Sequence, residues 1–407
     1  MYLSKRLHEI VDVNPKVVIE KGVDHPFVEM GVVNPGVSYV FTNVKRSYSG
    51  GGAKFSPGDT LFARITPCLE NGKIAQYKSD LKQAAFGSTE FFVFRHRPGI
   101  SDPVYVFYLA VSNIVRKPAE KSMSGASGRQ RADLAAIMDI EVPAPPLPTQ
   151  RRIAAVLSAY DDLIENNQRR IAILEELARS LYREWFVEFR FPGHENVEIV
   201  EREGRRVPEG WQITELGKLA REIRRGINPE DIAPETPYVG LEHIPRRSIT
   251  LSDWGEAREV QSTKLRFKKG EILFGKIRPY FHKVSVAPIE GVCSSDTIVI
   301  VANDSTGFPL VLSCVSSEAF VEHATQTSQG TKMPRANWDI LVKYPVPVPP
   351  SSLLAQFQHL ITDIVEQTQN LMFRNRNLRR TRDLLLPRLV SGELDVSELE
   401  LAGVDAL

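Results

Sequence analysis

Apolar residues recur at alternating spacings of four and three in two long stretches of the chain. The first stretch aligns Ile153, Leu157, Tyr160, Ile164, Ile171, Leu174 and Leu181. The second aligns Phe357, Ile361, Ile364, Leu371, Leu378 and Leu385. A stripe that repeats every 3.5 residues keeps one face of a helix against a partner helix. The pattern therefore predicts two coiled-coil helices, with polar interruptions at Asn167, Thr368, Asn375 and Arg382.

The connections between these helices predict their relative direction. Proline clusters at 143–148 and 345–350 end the preceding strands and start the helices. The segment between the helices begins soon after the first helix ends and runs directly into the second. If that segment is compact, the end of the first helix lies near the start of the second, and the pair is antiparallel. The alternative is that each helix packs only on its own globular domain.

The segments that precede the two helices repeat each other. "GDTLFARITP" (58–67) returns as "GEILFGKIRP" (270–279), and "VPAPP" (142–146) returns as "VPVPP" (346–350). "MSGASGRQRADL" (123–134) resembles "QTSQGTKMPRANWDIL" (326–341), with Gly128 matched to Gly330. Such self-similarity indicates a tandem duplication. The predicted organisation is a first domain at 1–148, a helix at 149–190, a linker at 191–207, a second domain at 208–350, a helix at 351–391 and a tail at 392–407.

Each repeated domain mixes strands with short helices. The strand candidates are "TLFARI", "GKIAQY" and "TEFFVFR" in the first copy and "EILFGKI", "HKVSVA" and "DTIVIVA" in the second, with short helices at 103–117 and 308–322. The predicted fold class is α+β, with largely antiparallel sheets. Two homologous domains are joined by an antiparallel two-helix coiled coil with pseudo-two-fold symmetry. Strand alternation predicts Leu61 and Leu273 in the core and Arg64 and Lys276 on the opposite, exposed face.

Composition narrows the class of protein. The 407 residues are 42% apolar and 25% charged, with a net charge of +1, as expected for a globular protein whose basic surface, if any, is local. Cys68, Cys293 and Cys314 form no close pair, which favours reduced thiols over disulfides. No apolar run reaches the roughly 20 residues that span a bilayer, and the start lacks a signal-peptide core. We therefore expect a cytoplasmic protein with no membrane contact.

Motifs for catalysis are absent from the sequence. There is no phosphate-binding loop, no glycine-rich dinucleotide turn after a strand and no amino-methyltransferase signature. The eight histidines show no paired ligand spacing, so no metal is expected. A nuclease-like set of Asp59, Asp80 and Lys82 has only Glu271 as its counterpart in the second copy. We expect no catalytic residue and no cofactor in this chain.

A glycine- and serine-rich loop, "SGASGRQR" (124–131), has two interpretations. Backbone N–H groups and the side chains of Arg129, Gln130 and Arg131 could meet phosphates or a guanine edge. Alternatively, the loop is a solvated connector before the helix "ADLAAIM". The second copy carries Lys332 and Arg335 at the matching place, which favours the functional interpretation.

The sequence resembles a known family. "PAPPLPTQRRIAAVLSAYDDLIENNQRRIAILEELARSLYREWFVEFRFPG" is similar to the central conserved helix of the specificity subunits of type I restriction–modification enzymes. "FSPGDTLFARITP", "FKKGEILFGKIRP", "VPEGWQITELGKLA" and "LLLPRLVSGELDV" are similarly placed hallmarks, so the resemblance covers the whole chain.

The resemblance implies a non-catalytic DNA-recognition subunit. The domains at 1–148 and 208–350 would be target recognition domains, each reading half of a bipartite, asymmetric site in double-stranded DNA. The helices would be spacers that dock two methyltransferase subunits, which would carry the S-adenosylmethionine. Restriction or translocase subunits could join the complex. The competing interpretations are a related methyltransferase-only or fused system, an enzyme with a hidden nuclease or methyltransferase site, and a coiled-coil scaffold without a DNA role.

The family has no universal base-reading residue that can be transferred to this chain. The predicted DNA-binding residues are Arg64, Arg129, Gln130 and Arg131 in the first domain and Lys276, Arg278, Tyr280, Lys332 and Arg335 in the second. On the helix exteriors, Arg169, Arg170, Glu175 and Glu176 either face methyltransferase subunits or form a solvated surface.

Overall fold

The computed structural model describes residues 2–126, 128–202, 204–304 and 307–396. The chain divides into two compact units. The first unit comprises Met1–Glu165 with Asn377–Leu407, and the second comprises Asn166–Arg376. Each unit therefore contains one globular lobe together with a portion of both long helices. The part of the predicted tail from 397 onward lies outside the described residues.

The first lobe is built from short strands and short helices. Its strands are β1 (Ser4–Arg6), β2 (Val11–Val13), β3 (Asp24–Val28), β4 (Tyr39–Val40), β5 (Lys45–Ser47), β6 (Ala53–Phe55), β7 (Thr60–Ala63), β8 (Ile74–Tyr77), β9 (Ala85–Gly87), β10 (Phe91–His96) and β11 (Glu141–Pro143). Its helices are α1 (Leu7–Ile10), α2 (Pro103–Val111), α3 (Asn113–Lys121) and α4 (Leu134–Met138). The long helix α5 (Leu147–Tyr182) follows.

Local chemistry explains where two of these helices begin. The Asp102 carboxylate accepts hydrogen bonds from the backbone N–H groups of Val104 and Tyr105, and Pro103 occupies the first turn of α2. Asp133 caps α4 in the same way. A capping carboxylate satisfies N–H groups that the helix itself leaves unpaired. The helix predicted at 103–117 is interrupted at Ser112, which gives α2 and α3.

Two sheets form the first lobe, with a third, two-stranded pairing of β1 with β11. The larger sheet has the strand order β2–β10–β7–β8–β4, and the smaller has the order β5–β3–β9–β6. Most neighbours are antiparallel, whereas β4 with β8 and β3 with β9 are parallel. Strand β7 lies at the centre of the larger sheet. The predicted antiparallel character therefore holds, with two parallel exceptions.

Strand β7 is buried on both faces, which corrects the expected exposed face. Leu61 packs in one core with Val28 and Phe55. Phe62 packs in a second core with residues of α2 and α5. Arg64 comes directly after the strand rather than on a solvent-facing side of it. Alternation fails here because helices cover the face that the pattern assigned to solvent.

The second lobe has the same kinds of element. Its strands are β12 (Ile199–Arg202), β13 (Arg205–Pro208), β14 (Gln212–Glu215), β15 (Ala220–Glu222), β16 (Arg225–Ile227), β17 (Pro237–Val239), β18 (Gly255–Glu256), β19 (Lys264–Phe267), β20 (Ile272–Gly275), β21 (Val284–Val286), β22 (Gly291–Cys293), β23 (Thr297–Ala302) and β24 (Pro345–Val348). Its helices are α6 (Leu216–Leu219), α7 (Phe308–Val315), α8 (Glu318–Gln326) and α9 (Trp338–Leu341), and the long helix α10 (Ser351–Ser391) follows.

The topology of the second lobe repeats that of the first. Its order β15–β23–β20–β21 matches β2–β10–β7–β8, and β18–β17–β22–β19 matches β5–β3–β9–β6, with β16 added at the edge. The pairing of β14 with β24 matches that of β1 with β11. The predicted internal repeat is therefore confirmed. Like β7, β20 has both faces buried, with Leu273 and Phe274 in different cores.

The two long helices run antiparallel within each unit. In the first unit, Ile153 and Leu157 near the start of α5 share a core with Leu389 and Val390 near the end of α10. In the second unit, Tyr182 at the end of α5 contacts Phe357 near the start of α10. Both cores also include lobe residues, so the helices pack on each other and on the lobes at once.

Most of the side chains predicted to form the seam are buried, and the rest are half-buried. Ile153, Leu157, Ile164, Phe357, Ile361, Ile364 and Leu371 are buried, whereas Tyr160, Ile171, Leu174, Leu181, Leu378 and Leu385 are half-buried. Two positions shift by one residue, since Asp161 and Tyr182 are more buried than the neighbouring Tyr160 and Leu181. No described helix combines the length and the hydropathy needed to cross a bilayer.

Candidate nucleic-acid interface

In the first lobe, a hairpin loop brings Arg131 beside Arg64. The Arg131 N–H donates to the Ser124 carbonyl at 2.9 Å, and the Ser124 N–H donates back at 3.0 Å, which closes the loop. The Ala132 N–H donates to the Arg64 carbonyl at 2.8 Å, and Arg131 bridges to Ile65. Backbone hydrogen bonds of the antiparallel β-bridge type therefore attach the loop to the segment that follows β7.

One carboxylate, Glu90, binds both basic side chains. Arg131 donates from Nε to Oε2 at 2.9 Å and from Nη2 to Oε1 at 2.6 Å. Arg64 donates from Nε to Oε2 at 3.3 Å, and its guanidinium lies 5.2 Å from the centre of the Phe92 ring. The Arg64 N–H also donates to the Glu90 carbonyl at 3.0 Å. The result is a compact group of two cations on one anion.

The second lobe contains the equivalent group. The Ala336 N–H donates to the Lys276 carbonyl at 2.9 Å, so Arg335 lies beside Lys276 as Arg131 lies beside Arg64. Asp296 is the shared acid: its Oδ1 lies 3.6 Å from Arg335 Nε and 3.9 Å from Lys276 Nζ. Lys276 Nζ also donates to the Ser295 carbonyl at 2.6 Å. We call these two groups the basic clusters.

The electrostatics of the clusters follow from these contacts. Hydrogen bonds from Arg131 lower the pKa of Glu90 below its ordinary value, although partial burial opposes the shift. The same contact raises the pKa of Arg131. Glu90 and Arg131 are therefore both charged at neutral pH. By formal charge, two basic side chains and one acid give each cluster a net charge of +1. The Arg131 side chain is 48% exposed, so it is accessible from solvent.

The other predicted contact residues lie around these clusters. In the first lobe, Arg129 is exposed on the hairpin loop, and the Gln130 N–H donates to Thr66 Oγ1 at 3.0 Å. In the second lobe, the Arg278 N–H donates to the Pro334 carbonyl at 2.7 Å, and Lys332 is exposed on the loop. Tyr280 is 50% exposed and stacks edge-on with Phe281 at 4.8 Å. Arg129 and Gln130 therefore lie in the first loop and Lys332 in the second, and a backbone hydrogen bond ties Arg278 to the second loop.

The glycine equivalence inferred from the sequence needs correction. The ladder that joins Ser124 to Arg131 corresponds to the one that joins Gln329 to Arg335. Gly125, not Gly128, therefore matches Gly330. Both have positive φ, and a Cβ atom would lie 3.3 Å from the Arg129 carbonyl oxygen at Gly125 and 3.4 Å from the Met333 carbonyl oxygen at Gly330. The first loop is one residue longer, which misaligned the sequences.

Sequence reasoning missed the two acids. Glu90 immediately precedes β10 and Asp296 immediately precedes β23. Each backbone N–H donates to the hydroxyl of a serine two residues earlier, Ser88 at 3.1 Å and Ser294 at 3.2 Å. The repeated pattern serine–any–acid before a buried strand was the signal that could have identified them.

The helix residue Glu175 also needs correction, because it is buried rather than exterior. Its Oε1 accepts hydrogen bonds from the hydroxyls of Ser248 and Thr250, both at 2.7 Å. Arg170 and Glu176 are exposed, as expected. The carboxylate therefore ties α5 to the lobe in the second unit and is not available to a partner.

The described residues contain no group of three or more histidine, cysteine, aspartate or glutamate side chains close enough to hold a metal ion. Cys293 and Cys314 are buried, and burial raises the pKa of each thiol to about 12. Cys68 is half-buried. The buried thiols therefore remain protonated at neutral pH and behave as small apolar groups.

Comparison with known proteins identifies relatives of one kind. Residues 5–176 match the family model of the type I restriction modification DNA specificity domain. The type I restriction enzyme MjaIX specificity subunit of Methanocaldococcus jannaschii is 27% identical, over 72% of this chain and 70% of its own. The EcoDI specificity subunit of Escherichia coli is 26% identical over 63% of each chain. The HindI specificity subunit of Haemophilus influenzae is 22% identical over 83% of this chain and 86% of its own.

The fold also has a counterpart among solved structures. The crystal structure of the type I restriction–modification system S subunit from M. genitalium aligns over 96% of both chains, with a TM-score of 0.55 and 14% identity. That likeness supports the two-lobe, two-helix architecture. The family model and the named relatives agree with the sequence resemblance, so this chain is similar to the specificity subunits of type I restriction–modification enzymes.

Proposed function

We propose that this chain is the DNA-recognition subunit of a type I restriction–modification complex and that each lobe reads one half of a bipartite site in double-stranded DNA. The observation that carries the proposal is the basic cluster, which occurs at the same topological position in both lobes. The chain itself is non-catalytic. Methylation and cleavage belong to partner subunits, and S-adenosylmethionine is expected on the methyltransferase.

The chemistry of the clusters suits DNA. An arginine fork can bond to O6 and N7 of guanine, and a lysine can bond to the same edge or to phosphate. The whole chain has a net charge of only +1, so its attraction to DNA is local. We therefore expect weak binding by the isolated chain and tight, salt-sensitive binding by the assembled complex.

Differences between the clusters support an asymmetric site. Arg64 in the first lobe corresponds to Lys276, and Thr66 corresponds to Arg278. Gln130, which can pair with adenine, corresponds to Pro334, which has no side-chain donor. Two readers that share a backbone but differ in these side chains would recognise different bases.

The long helices are proposed to set the distance between half-sites and to dock two methyltransferase subunits. On α5, Ile173 is 68% exposed and Leu177 is 47% exposed, one turn apart on the same face. Exposed apolar side chains in this arrangement are typical of a helix that another subunit covers. Replacement of both by glutamate should prevent co-purification of the methyltransferase without unfolding the chain.

Long-read methylation mapping in a host that expresses this chain with its methyltransferase partner tests the proposal. The expected result is one asymmetric motif made of two short half-sites separated by a fixed unspecified spacer. Methylation or cleavage by the purified chain alone would contradict the non-catalytic role. Methylation that does not depend on this chain would contradict the recognition role.

A further inference from the structure

We propose that Glu90 and Asp296 are specificity-determining residues, each acting through the pair of basic side chains that it holds. The inference rests on the proposed DNA-recognition function. In this proposal, the two carboxylates enable the protein to discriminate between a matching half-site and other DNA. Neither acid is expected to bond to the DNA itself, so both are positioning residues.

The first step is the orientation of Arg131. Its Nε and Nη2 atoms are bound side-on by Glu90 at 2.9 and 2.6 Å. That contact leaves Nη1 and the outer proton of Nη2 free to form a second fork, directed away from the carboxylate. A guanine edge is read by such a fork only when the guanidinium is held in place. Without Glu90, this long, half-exposed side chain would sample many rotamers.

The second step is charge. Any DNA sequence attracts Arg64 and Arg131 through its phosphates, and this attraction carries no sequence information. Glu90 neutralises one of the two cations and repels phosphate, which weakens binding to non-matching DNA. The Arg131 contact also holds the pKa of Glu90 low, so the carboxylate stays ionised at neutral pH. The fixed orientation of Arg131 strengthens binding to the matching half-site, and the negative charge of Glu90 weakens binding to other DNA. Both effects raise the ratio of specific to non-specific affinity.

The second lobe supports the same role with weaker geometry. Asp296 lies 3.6 Å from Arg335 and 3.9 Å from Lys276, beyond direct hydrogen-bond distance. The arrangement persists although the acid, one of the basic residues and the loop length all differ between the copies. Because the contacts are longer, we expect Asp296 to contribute less discrimination than Glu90.

The test uses complexes of the full chain with its methyltransferase partner. Methylation mapping of the wild type first defines both half-sites. Fluorescence anisotropy then measures affinity for the matching duplex and for duplexes in which one half-site is scrambled, at two salt concentrations. The ratio of interest is the affinity for the matching duplex divided by the affinity for a duplex with one scrambled half-site. For Glu90→Gln, this ratio should fall about tenfold for one half-site only. The slope of log affinity against log salt concentration on scrambled DNA should steepen by about one. Asp296→Asn should lower the ratio for the other half-site by a smaller factor.

A matched control separates this role from loss of charge. Glu141→Gln removes an exposed carboxylate from the same lobe. Glu141 pairs with Arg6, and Arg6 also pairs with Asp139, so Arg6 keeps an acidic partner in this variant. It should leave the ratio unchanged. An unchanged ratio in Glu90→Gln, or equal losses at both half-sites, would overturn the inference. A wild-type complex that does not discriminate would instead refute the proposed function.

A second variant covers the case in which Glu90→Gln fails to fold. Arg131→Lys keeps the charge but cannot form both forks. It should lower the ratio at the same half-site without steepening the salt slope. An Arg131→Lys complex that discriminates as well as the wild type would also overturn the inference.

Discussion

Asn167 and Asn375 meet in the interior of the second unit, where Nδ2 of Asn167 donates to Oδ1 of Asn375 at 2.9 Å. Asn167 is 8% exposed and Asn375 is 4% exposed. Two of the four polar interruptions of the apolar stripes are therefore hydrogen-bond partners of each other. A buried amide pair stabilises less than two leucines would, but it is satisfied in only one register of the helices.

Replacement of one member of this pair should be worse than replacement of both. Asn375→Leu leaves the Asn167 amide buried without this partner, which should cost about 1–3 kcal/mol of unfolding free energy. The double variant with Asn167→Leu should recover all of that loss or exceed it, because no buried amide is then left without a partner. Chemical unfolding of all four proteins in a double-mutant cycle measures the coupling, with exposed Gln168→Leu as the control. Additive losses would show that the amides act independently.

The pair formed by Asp161 and Arg382 predicts a larger effect in the first unit. Asp161 accepts hydrogen bonds from Ser38 Oγ and Tyr108 OH, both at 2.5 Å, and forms a buried ion pair with Arg382. Arg382→Met leaves this carboxylate without its cation and should destabilise the protein by about 3–5 kcal/mol. Thermal and urea unfolding measure the loss.

Asp383→Asn provides the control for that prediction. Asp383 also pairs with Arg382 but is 62% exposed. An exposed ion pair contributes about 1 kcal/mol or less. Equal losses in the two variants would show that the burial of Asp161 has no special effect.

The duplication, both long helices and the central strands were predictable from the sequence because each leaves a local, periodic pattern. The acids of the basic clusters were not, since Glu90 binds Arg131 only after the loop has folded back onto the chain leaving β7. The seam shifted from Tyr160 to Asp161 for a similar reason. An aspartate enters an interior only when distant groups satisfy it, here Ser38, Tyr108 and Arg382, and no local pattern reports those partners.

Buried His282 predicts a dependence of stability on pH. Its Nε2 lies 2.8 Å from the Ser316 carbonyl oxygen, and its Nδ1 has no hydrogen-bond partner among the described residues. Burial lowers the pKa of His282, assisted by Arg247 and Arg179 and opposed by Ser316 and Glu318. The unfolded chain therefore binds this proton more readily, and stability falls as the pH drops below about 6.5.

His282→Asn should remove that part of the pH dependence. Asparagine tolerates the positive φ of 53° at this position and does not titrate. Unfolding midpoints at pH 7.5 and 5.5 should differ less in the variant than in the wild type. His359→Asn, at a histidine that is 79% exposed, is the control and should retain the full difference. An unchanged difference in His282→Asn would refute the assignment.

The proposed spacing role predicts the result of lengthening both helices. Duplication of residues 165–171 in α5 together with 371–377 in α10 adds one heptad to each, which keeps the seam facing the partner. Seven residues add about 10.5 Å, close to three base pairs. Methylation mapping should show both half-sites unchanged and the spacer lengthened. An unchanged spacer would refute the proposed ruler, and a heptad added to α5 alone should abolish specific methylation.

Arg131 and Arg335 are predicted to read opposite half-sites. They occupy equivalent positions in the two lobes, each joined by ladder bonds to the chain that leaves the central strand. Arg131→Ala should relax specificity at one half-site by about 1–3 kcal/mol, and Arg335→Ala should do so at the other. Methylation mapping of each variant identifies the relaxed position, and Lys16→Ala controls for the loss of one positive charge. A uniform loss of affinity for all DNA sequences, with a smaller salt slope, would instead assign the residue to a phosphate contact, because phosphate is the same in every half-site.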